Sequence, residues 1–415
     1  MNMPFRFRSR AIPLGLTLLL ALALVAVACG EEEEKEGEIK DIERSPDTPI
    51  VISAGEPIIV GVSAALIGPT ATQGTESRDA TVVGVARWKE ANGDQIKGHD
   101  IEIHAADDGC FEADITELAA ERLLGIEGLV GVIGPMCSDG SAAVISTYAN
   151  AGVVMISGSA TRTDLTLIQP EPKFFFRTAY TNAGEGALQA RYVIARLDAA
   201  TAYVIDDSEI YGEDLANAAQ DALEESGIEV TRESIVPGAV DFSDLAGRIA
   251  GDNPDVVIFE GFNPEGALLY RQLRDAGYSG PFIGSDGTAV ASDFIEPLGD
   301  DAEGAIFAGC SPTLPEEFLD DYVGIVGSEP VTAFPGQYAD AATILLDAVA
   351  EVAVEQADGS LVIEPLELRD AVSMPKLLAG LSGAIAFDEN GDRLAESSGL
   401  AMCEVEGGEF VNFRF

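Results

Sequence analysis

Residues 130–161 read VGVIGPMCSDGSAAVISTYANAGVVMISGSAT, and the order of polar and apolar runs in that stretch decides the fold. The apolar runs at 130–133 and 153–156 are short and rich in Val and Ile, as strands buried on both faces are. Residues 140–150 read as a helix between them, so the unit is strand, helix, strand, which gives two parallel neighbours in a sheet. Each strand is followed by a segment of small and hydroxyl-bearing residues, 134–141 and 157–161. Open α/β sheets bind their ligands just beyond the carboxyl ends of strands.

The alternation extends both ways. Upstream lie a strand at 58–62, a helix at 75–92 with Ala80, Val83, Ala86 and Ala91 on one face and Gly93 closing it, a strand at 101–105 and a helix at 114–124. A second series starts after Phe174-Phe175-Phe176-Arg177, with helices at 183–197, 212–226, 242–250 and 264–276 and strands at 202–205, 230–235, 256–260 and 281–283. After a strand at 305–309 come helices at 315–326, 337–354 and 364–372 without a comparable run of strands, so they must cover a sheet already made. The tail, with runs at 384–387, 400–405 and 410–413 and a turn at 388–391, is antiparallel in character, and the chain crosses between lobes more than once. About 360 residues beyond position 57 exceed what one core usually supports. The expectation is α/β, with two Rossmann-like lobes, each on a parallel sheet.

Arg6, Arg8 and Arg10 precede an uncharged segment, 11–28, that ends in Val25-Ala26-Val27-Ala28-Cys29-Gly30. The apolar segment just reaches the lower length limit for a retained bilayer span, but the junction that ends it tips the reading of residues 1–28 to a secretory signal. The junction resembles a bacterial lipobox, with Ala26 where leucine is usual, so Cys29 would carry the lipid. Glu31 to Glu34, Lys35 and Glu36 follow, and residues 29–57 are expected to be an acidic tether. The chain has 24 basic and 71 acidic side chains, a formal net charge of −47, which excludes nucleic acid as a natural partner. Such acidity fits a water-facing surface, or an organism living in high salt.

Five cysteines lie at 29, 110, 137, 310 and 403, none in a C-x-x-C pair. An exported chain with four remaining cysteines points to disulfides, in one of three pairings. Cys110 and Cys137 each follow the end of a strand, and neighbouring strand ends favour pairing them, which leaves Cys310 with Cys403. The loop of about 28 residues that a Cys110–Cys137 bridge would close is worth roughly 3.5 kcal/mol in the chain-entropy account.

No G-x-S-x-G, H-E-x-x-H, Walker loop or G-x-G-x-x-G occurs, and the only histidines, His99 and His104, are not spaced as a metal pair. The reading is therefore not an enzyme, with no cofactor and no metal. What the chain does carry are polar loops after strands. Ser138 leads into a helix whose first N–H groups suit a carboxylate. Ser159, Ala160 and Thr161 form a second small, hydroxyl-rich loop. From the second series, Tyr211, Phe262 and Asp286 each lie just past a strand. Donors on one lobe and a carboxylate on the other would hold both ends of a zwitterion, with Tyr211 and Phe262 walling its side chain.

In order along the chain, Gly68-Pro69, Gln73-Gly74, Asp107-Asp108-Gly109-Cys110, Gly134-Pro135-Met136-Cys137-Ser138, Met155-Ile156-Ser157, Phe176-Arg177-Thr178, Tyr211-Gly212, Pro264-Glu265, Tyr338-Ala339 and Phe387-Asp388 resemble the leucine/isoleucine/valine-binding proteins. These are type I periplasmic receptors of branched-chain amino-acid ABC transporters, and the likeness covers about residues 58–413. The resemblance implies a ligand carboxylate on Ser138 and Thr161, an ammonium on the Ser159 carbonyl and Asp286, and a Cys110–Cys137 bridge. It also implies three hinge crossovers near Thr178, Cys310 and Ser382, between lobe 1 (58–178 and 312–381) and lobe 2 (179–309 and 384–415). Asp286 stands where a longer acid is usual, Gln73 where an aromatic is usual, Phe262 lacks a hydroxyl, and Arg162 sets a cation beside Thr161. Cys310 and Cys403 lie outside the family pattern and are expected to staple the hinge. The implied role is a monomeric receptor, lipid-anchored outside the cytoplasmic membrane, that passes an amino acid to permease subunits. The alternative is a sensory module for an amide or other polar solute, signalling through a membrane partner.

Overall fold

The computed structural model describes residues 42–310, 313–374, 380–394, 400–413 and 415. The leader, Cys29 and the acidic run 31–36 lie outside these residues. Along the chain, β1 (Ile50–Ile52), β2 (Ile58–Ala64), α1 (Ala71–Asn92), β3 (Gln95–Ile96), β4 (His99–Asp107), α2 (Ala113–Leu124), β5 (Leu129–Ile133), α3 (Ser138–Asn150), β6 (Val154–Ser157), α4 (Leu165–Ile168) and β7 (Phe175–Arg177) come first. A second series follows: α5 (Asn182–Tyr192), β8 (Thr201–Asp206), α6 (Ile210–Glu225), β9 (Glu229–Ser234), α7 (Ser243–Asp252), β10 (Val256–Glu260), α8 (Glu265–Asp275), β11 (Phe282–Gly284), α9 (Glu296–Leu298) and β12 (Ile306–Cys310). The remainder is α10 (Glu316–Val326), α11 (Pro335–Val352), β13 (Val354–Glu355), β14 (Leu361–Ile363), α12 (Pro365–Ser373), β15 (Ala401–Glu406) and β16 (Glu409–Phe413).

Two large sheets result, in the orders β3-β4-β2-β5-β6-β7 and β16-β15-β12-β11-β10-β8-β9. The pairs β2–β4, β2–β5, β5–β6 and β6–β7 in the first sheet, and β8 with β9 and β10 in the second, are parallel. Their central strands are apolar runs with every residue buried, as in β2, β5, β10 and β12, because helices cover both faces. The outer strand β9 instead has no fully buried residue and exposes Glu229, Thr231 and Ser234. This is the two-lobed α/β architecture expected from the sequence.

Four expectations change. First, the tether ends earlier than residue 57. The Arg44 guanidinium donates to the carbonyls of Leu124 at 2.9 Å and Ile126 at 2.7 Å, and β1 pairs antiparallel with β14. Ile50 and Ile52 flank an exposed Val51, so three residues present one apolar face, and charge counting overlooked it. Second, β4 and β5 are not neighbours but flank β2, and the Cys110–Cys137 bridge, with Cα atoms 5.3 Å apart, joins loops that pass over the end of that central strand.

Third, residues 384–394 belong with the first lobe. Ile385 is in that lobe's core, Phe387 packs on Phe176 with ring centroids 5.3 Å apart, and Asp392 binds the buried Arg177 at 2.6 Å. A lone bridge between Phe387 and Arg393 stands where a strand was expected. The third passage between lobes therefore lies after Leu394 rather than at Ser382. Arg393, itself buried, donates to the Thr178 carbonyl at 2.8 Å and to the carbonyls of Ser382 and Ala384, strapping the first and third threads together on the same lobe. Fourth, Cys310–Cys403 links β12 to β15 inside the second sheet and does not span the lobes.

Candidate functional site

The loops after β5 and β6 face those after β8, β10 and β11, as strands that end toward one crevice require. At the end of β5, Gly134 takes φ +110° with its α-carbon so near the Ser63 carbonyl that a β-carbon would sit 2.0 Å from that oxygen. Only glycine turns the chain there, and the turn leads Met136, Cys137 and Ser138 into the cleft.

The lobes meet directly. Gln73 Nε2 donates to the Gly287 carbonyl at 3.2 Å, Ile210 N to Asp139 Oδ1 at 3.2 Å, and Thr163 Oγ1 to Asp214 Oδ2 at 3.0 Å. The rings of Phe111 and Phe262 meet edge to face at 5.4 Å. Between the lobes remains a small cavity of about 30 Å³, lined from both sides.

Six of the eight residues chosen from the sequence line it: Gln73, Ser138, Ser159, Tyr211, Phe262 and Asp286. Ala160 and Thr161 stand behind the wall instead. The Ala160 carbonyl accepts from Arg177 at 3.1 Å, and the Thr161 carbonyl from Asn182 N at 2.7 Å, so this loop spends its carbonyls on structure. The Thr161 hydroxyl is fully buried and has no partner among the described residues. Ser159 Oγ lies 2.6 Å from Tyr338 Oη and donates to the Met136 carbonyl, and Ser138 Oγ accepts from Arg162 N at 3.1 Å.

Wall residues that the sequence reading missed include Ser77, Thr332 and Phe334. Ser77 follows Gln73 by one helical turn, a spacing that could have found it. Thr332 and Phe334 come from an irregular segment before α11, held by Glu76, which accepts from Val331 N at 2.5 Å and Thr332 N at 2.9 Å. That tie joins positions 255 apart in the chain, so no local pattern announces it.

The electrostatic centre is Asp286. Tyr211 donates to its Oδ1 and Tyr180 Oη lies 2.9 Å from its Oδ2. Burial pushes its carboxyl up to about 6, against the pull of the two tyrosine hydroxyls. Behind it, Glu185 is raised well above its ordinary range, first by burial and then by the Asp286 charge. Burial likewise lifts Glu260 and Asp207, each to about 8. The floor of the second lobe is thus an assembly of desolvated acids, and Asp286 is the one that lines the cavity.

Comparison with known proteins bears on this geometry. Residues 57–409 match the periplasmic binding protein family. The Leu/Ile/Val-binding protein BraC3 of Rhizobium johnstonii is 30% identical over 357 residues, which is 85% of this chain and 93% of that protein. The Leu/Ile/Val-binding protein of Escherichia coli K12 is 30% identical over 61% of this chain and 68% of its own length. Among solved structures, a leucine-binding protein LivK from Thermotoga maritima superposes with a TM-score of 0.74 at 24% identity, over 86% of this chain and 98% of that one. LivJ from Streptococcus pneumoniae, in complex with isoleucine, gives 0.72 at 23% identity over 86% and 99%. Both structures show that the fold is shared. With the family match spanning both lobes and a relative matched almost end to end, the chain belongs to the leucine/isoleucine/valine-binding branch of the periplasmic binding proteins.

Proposed function

We propose that the chain is the extracytoplasmic receptor of an ABC transporter, which closes on a branched-chain amino acid and delivers it to the permease. The observation that carries this reading is Asp286, a buried carboxylate in the wall of a closed cleft that makes no ion pair among the described residues. A ligand ammonium supplies the missing charge, and buried charges are stable only when paired. On the facing lobe, Ser138 at the start of α3 lines the cleft and accepts from Arg162 N, which leaves its hydroxyl hydrogen for the ligand, while the Thr161 hydroxyl, behind the wall, has no partner among the described residues. Hydroxyls beside a helix N-terminus suit the carboxylate end.

The polar groups elsewhere in the wall support an apolar ligand side chain. Ser77 Oγ donates to the Gln73 carbonyl at 2.8 Å, Gln73 Nε2 to Gly287, and Thr332 Oγ1 to Glu76. With those hydrogens spent, Met136, Phe262 and Phe334 present hydrocarbon to the ligand. Relatives named for leucine, isoleucine and valine point the same way. The leader, Cys29 as lipid attachment and the acidic run after it complete the proposal of a monomer tethered to the outer face of the cytoplasmic membrane.

The test is a thermal-shift screen of free amino acids, amides and carboxylates. Leucine, isoleucine or valine at 100 times its dissociation constant adds about 2.7 kcal/mol to stability. An unmoved melting temperature with all three, together with a shift from an amide or carboxylate, overturns the ligand assignment.

A further inference from the structure

The chemistry behind Asp286 is as unusual as the residue itself. Glu185, on α5, is fully buried, and its Oε1 accepts the backbone N–H of Asp286 at 3.2 Å. Its Oε2 receives no hydrogen bond from any donor among the described residues. The side chain that acts most strongly on the Glu185 carboxyl is that of Asp286, another acceptor, set beside it by the Oε1 contact to the Asp286 backbone. Two carboxylate oxygens in contact, both out of water, repel; one proton between them converts the contact into a hydrogen bond.

The surroundings supply no alternative. Tyr180, from the crossing before α5, and Tyr211, from α6, spend their hydroxyls on Asp286, and Tyr180 Oη is also 2.9 Å from the Gly309 carbonyl on β12. Glu260, at the end of β10, is another buried acid, whose electrostatic neighbours include Arg232 on β9. Among the described residues, the titratable groups that interact with Glu185 are Asp286, Glu260, Tyr180 and Tyr211, two acids and two phenols. Gly309 closes the arrangement: at φ +73°, a β-carbon there would stand 2.3 Å from Tyr180 Oη, 2.6 Å from Asp286 Cβ and 3.1 Å from Glu185 Oε1.

We propose that Glu185 is a positioning residue for the amine end of the ligand, a neutral acid that holds the Asp286 backbone with one oxygen and donates its proton to the Asp286 carboxyl with the other. The pair then carries one proton and one negative charge, matched to one ammonium. Two ionised acids would leave a buried charge after the ligand arrives, and two neutral ones would leave the ammonium unpaired. This rests on the ammonium reading of Asp286 given above. The strong upward displacement of Glu185 by burial and by Asp286 agrees with it.

The experiment compares the full chain with Glu185→Gln and Glu185→Leu, using leucine, isoleucine and valine in calorimetric titrations across pH 5 to 8. Circular dichroism checks folding, and infrared difference spectra monitor the protonated carboxyl. Glutamine keeps an acceptor for the Asp286 N–H and a donor for its carboxyl, so Glu185→Gln binds within about threefold of wild type. It also loses an infrared band of a neutral carboxylic acid that wild type shows at pH 7. Leucine keeps neither group, and Glu185→Leu binds at least tenfold more weakly while remaining folded; if it does not fold, Glu185→Gln and the infrared band decide alone. A tenfold or greater loss in Glu185→Gln, absence of the acid band in wild type, or a folded Glu185→Leu that binds as wild type does would overturn the inference. Failure of wild type to bind any of the three amino acids defeats the ligand assignment instead, and the infrared band still tests the shared proton.

Discussion

Replacing Asp286 with asparagine keeps the shape of the side chain and an oxygen for the tyrosine hydroxyls, and removes one charge. Two effects of opposite sign should follow. In the unliganded protein the buried carboxyl is displaced upward to about 6, so its charged form is disfavoured in the folded state. Removing that charge should raise stability at neutral pH, by at most a few kcal/mol at about 1.4 kcal/mol per pKa unit. With ligand, the ammonium loses its partner in a dry site, a loss of about 2 to 5 kcal/mol, or roughly 30-fold to 5,000-fold in affinity. Melting curves of wild type and Asp286→Asn, with and without leucine, read both effects at once. The variant should melt no lower than wild type when empty and gain little or nothing from a leucine concentration that saturates wild type. A variant that is destabilised when empty, and still shifts with leucine as wild type does, would refute the assignment of Asp286 as a charge kept for the ligand.

Two further outcomes can be read from the same protein. Asp108 and Asp286 are displaced to about 6, and Asp207 and Glu260 to about 8, in each case first by burial. The folded state therefore binds protons more tightly than the unfolded chain, and the stability they contribute is full below about pH 4 and lost as pH rises through 6 to 8. Unliganded protein, in salt high enough to screen surface repulsion, should melt lower at pH 9 than at pH 5; a rise over that interval would contradict the burial of neutral acids. Replacing both Cys310 and Cys403 by serine opens a link spanning 93 residues, worth about 4 to 5 kcal/mol in the chain-entropy account. Urea unfolding should show that loss while leucine affinity stays within about threefold, because the bond lies inside one sheet. A large loss of affinity in a folded double variant would mean that the bond also governs closure.

The sequence makes the lobes legible because a parallel sheet announces itself twice, as short apolar runs and as the helices between them. It also places Ser138, Tyr211 and Asp286, since each follows a strand by a few residues and strand ends face the crevice. What it hides are partnerships over long separations. Nothing local marks Ile50 as the partner of Ile363, or Phe387 as the neighbour of Phe176. The assignment of 384–394 to the second lobe followed from its nearness in sequence to β15, whereas Arg177 and Phe176 draw it to the first. Glu185 escaped notice for a related reason. It lies in the first turn of a helix, where a glutamate is ordinary, and only its burial against Asp286 gives it meaning. Thr161 is the reverse case, a hydroxyl in a promising loop where the Ala160 carbonyl is committed to Arg177 and the Thr161 carbonyl to Asn182.

The strap made by Arg393 sets where the molecule can bend. Because the Arg393 guanidinium, on the segment that leads to the third crossing, grips the Thr178 carbonyl, the first and third threads are held together where they leave the first lobe. Rotation along the first thread must begin past Thr178, in the few residues before α5, which also carry Tyr180 to the Asp286 carboxyl. Opening the jaws would thus tug on the very hydroxyl that steadies the ligand's counter-charge, so loosening of the grip and parting of the lobes are mechanically one event.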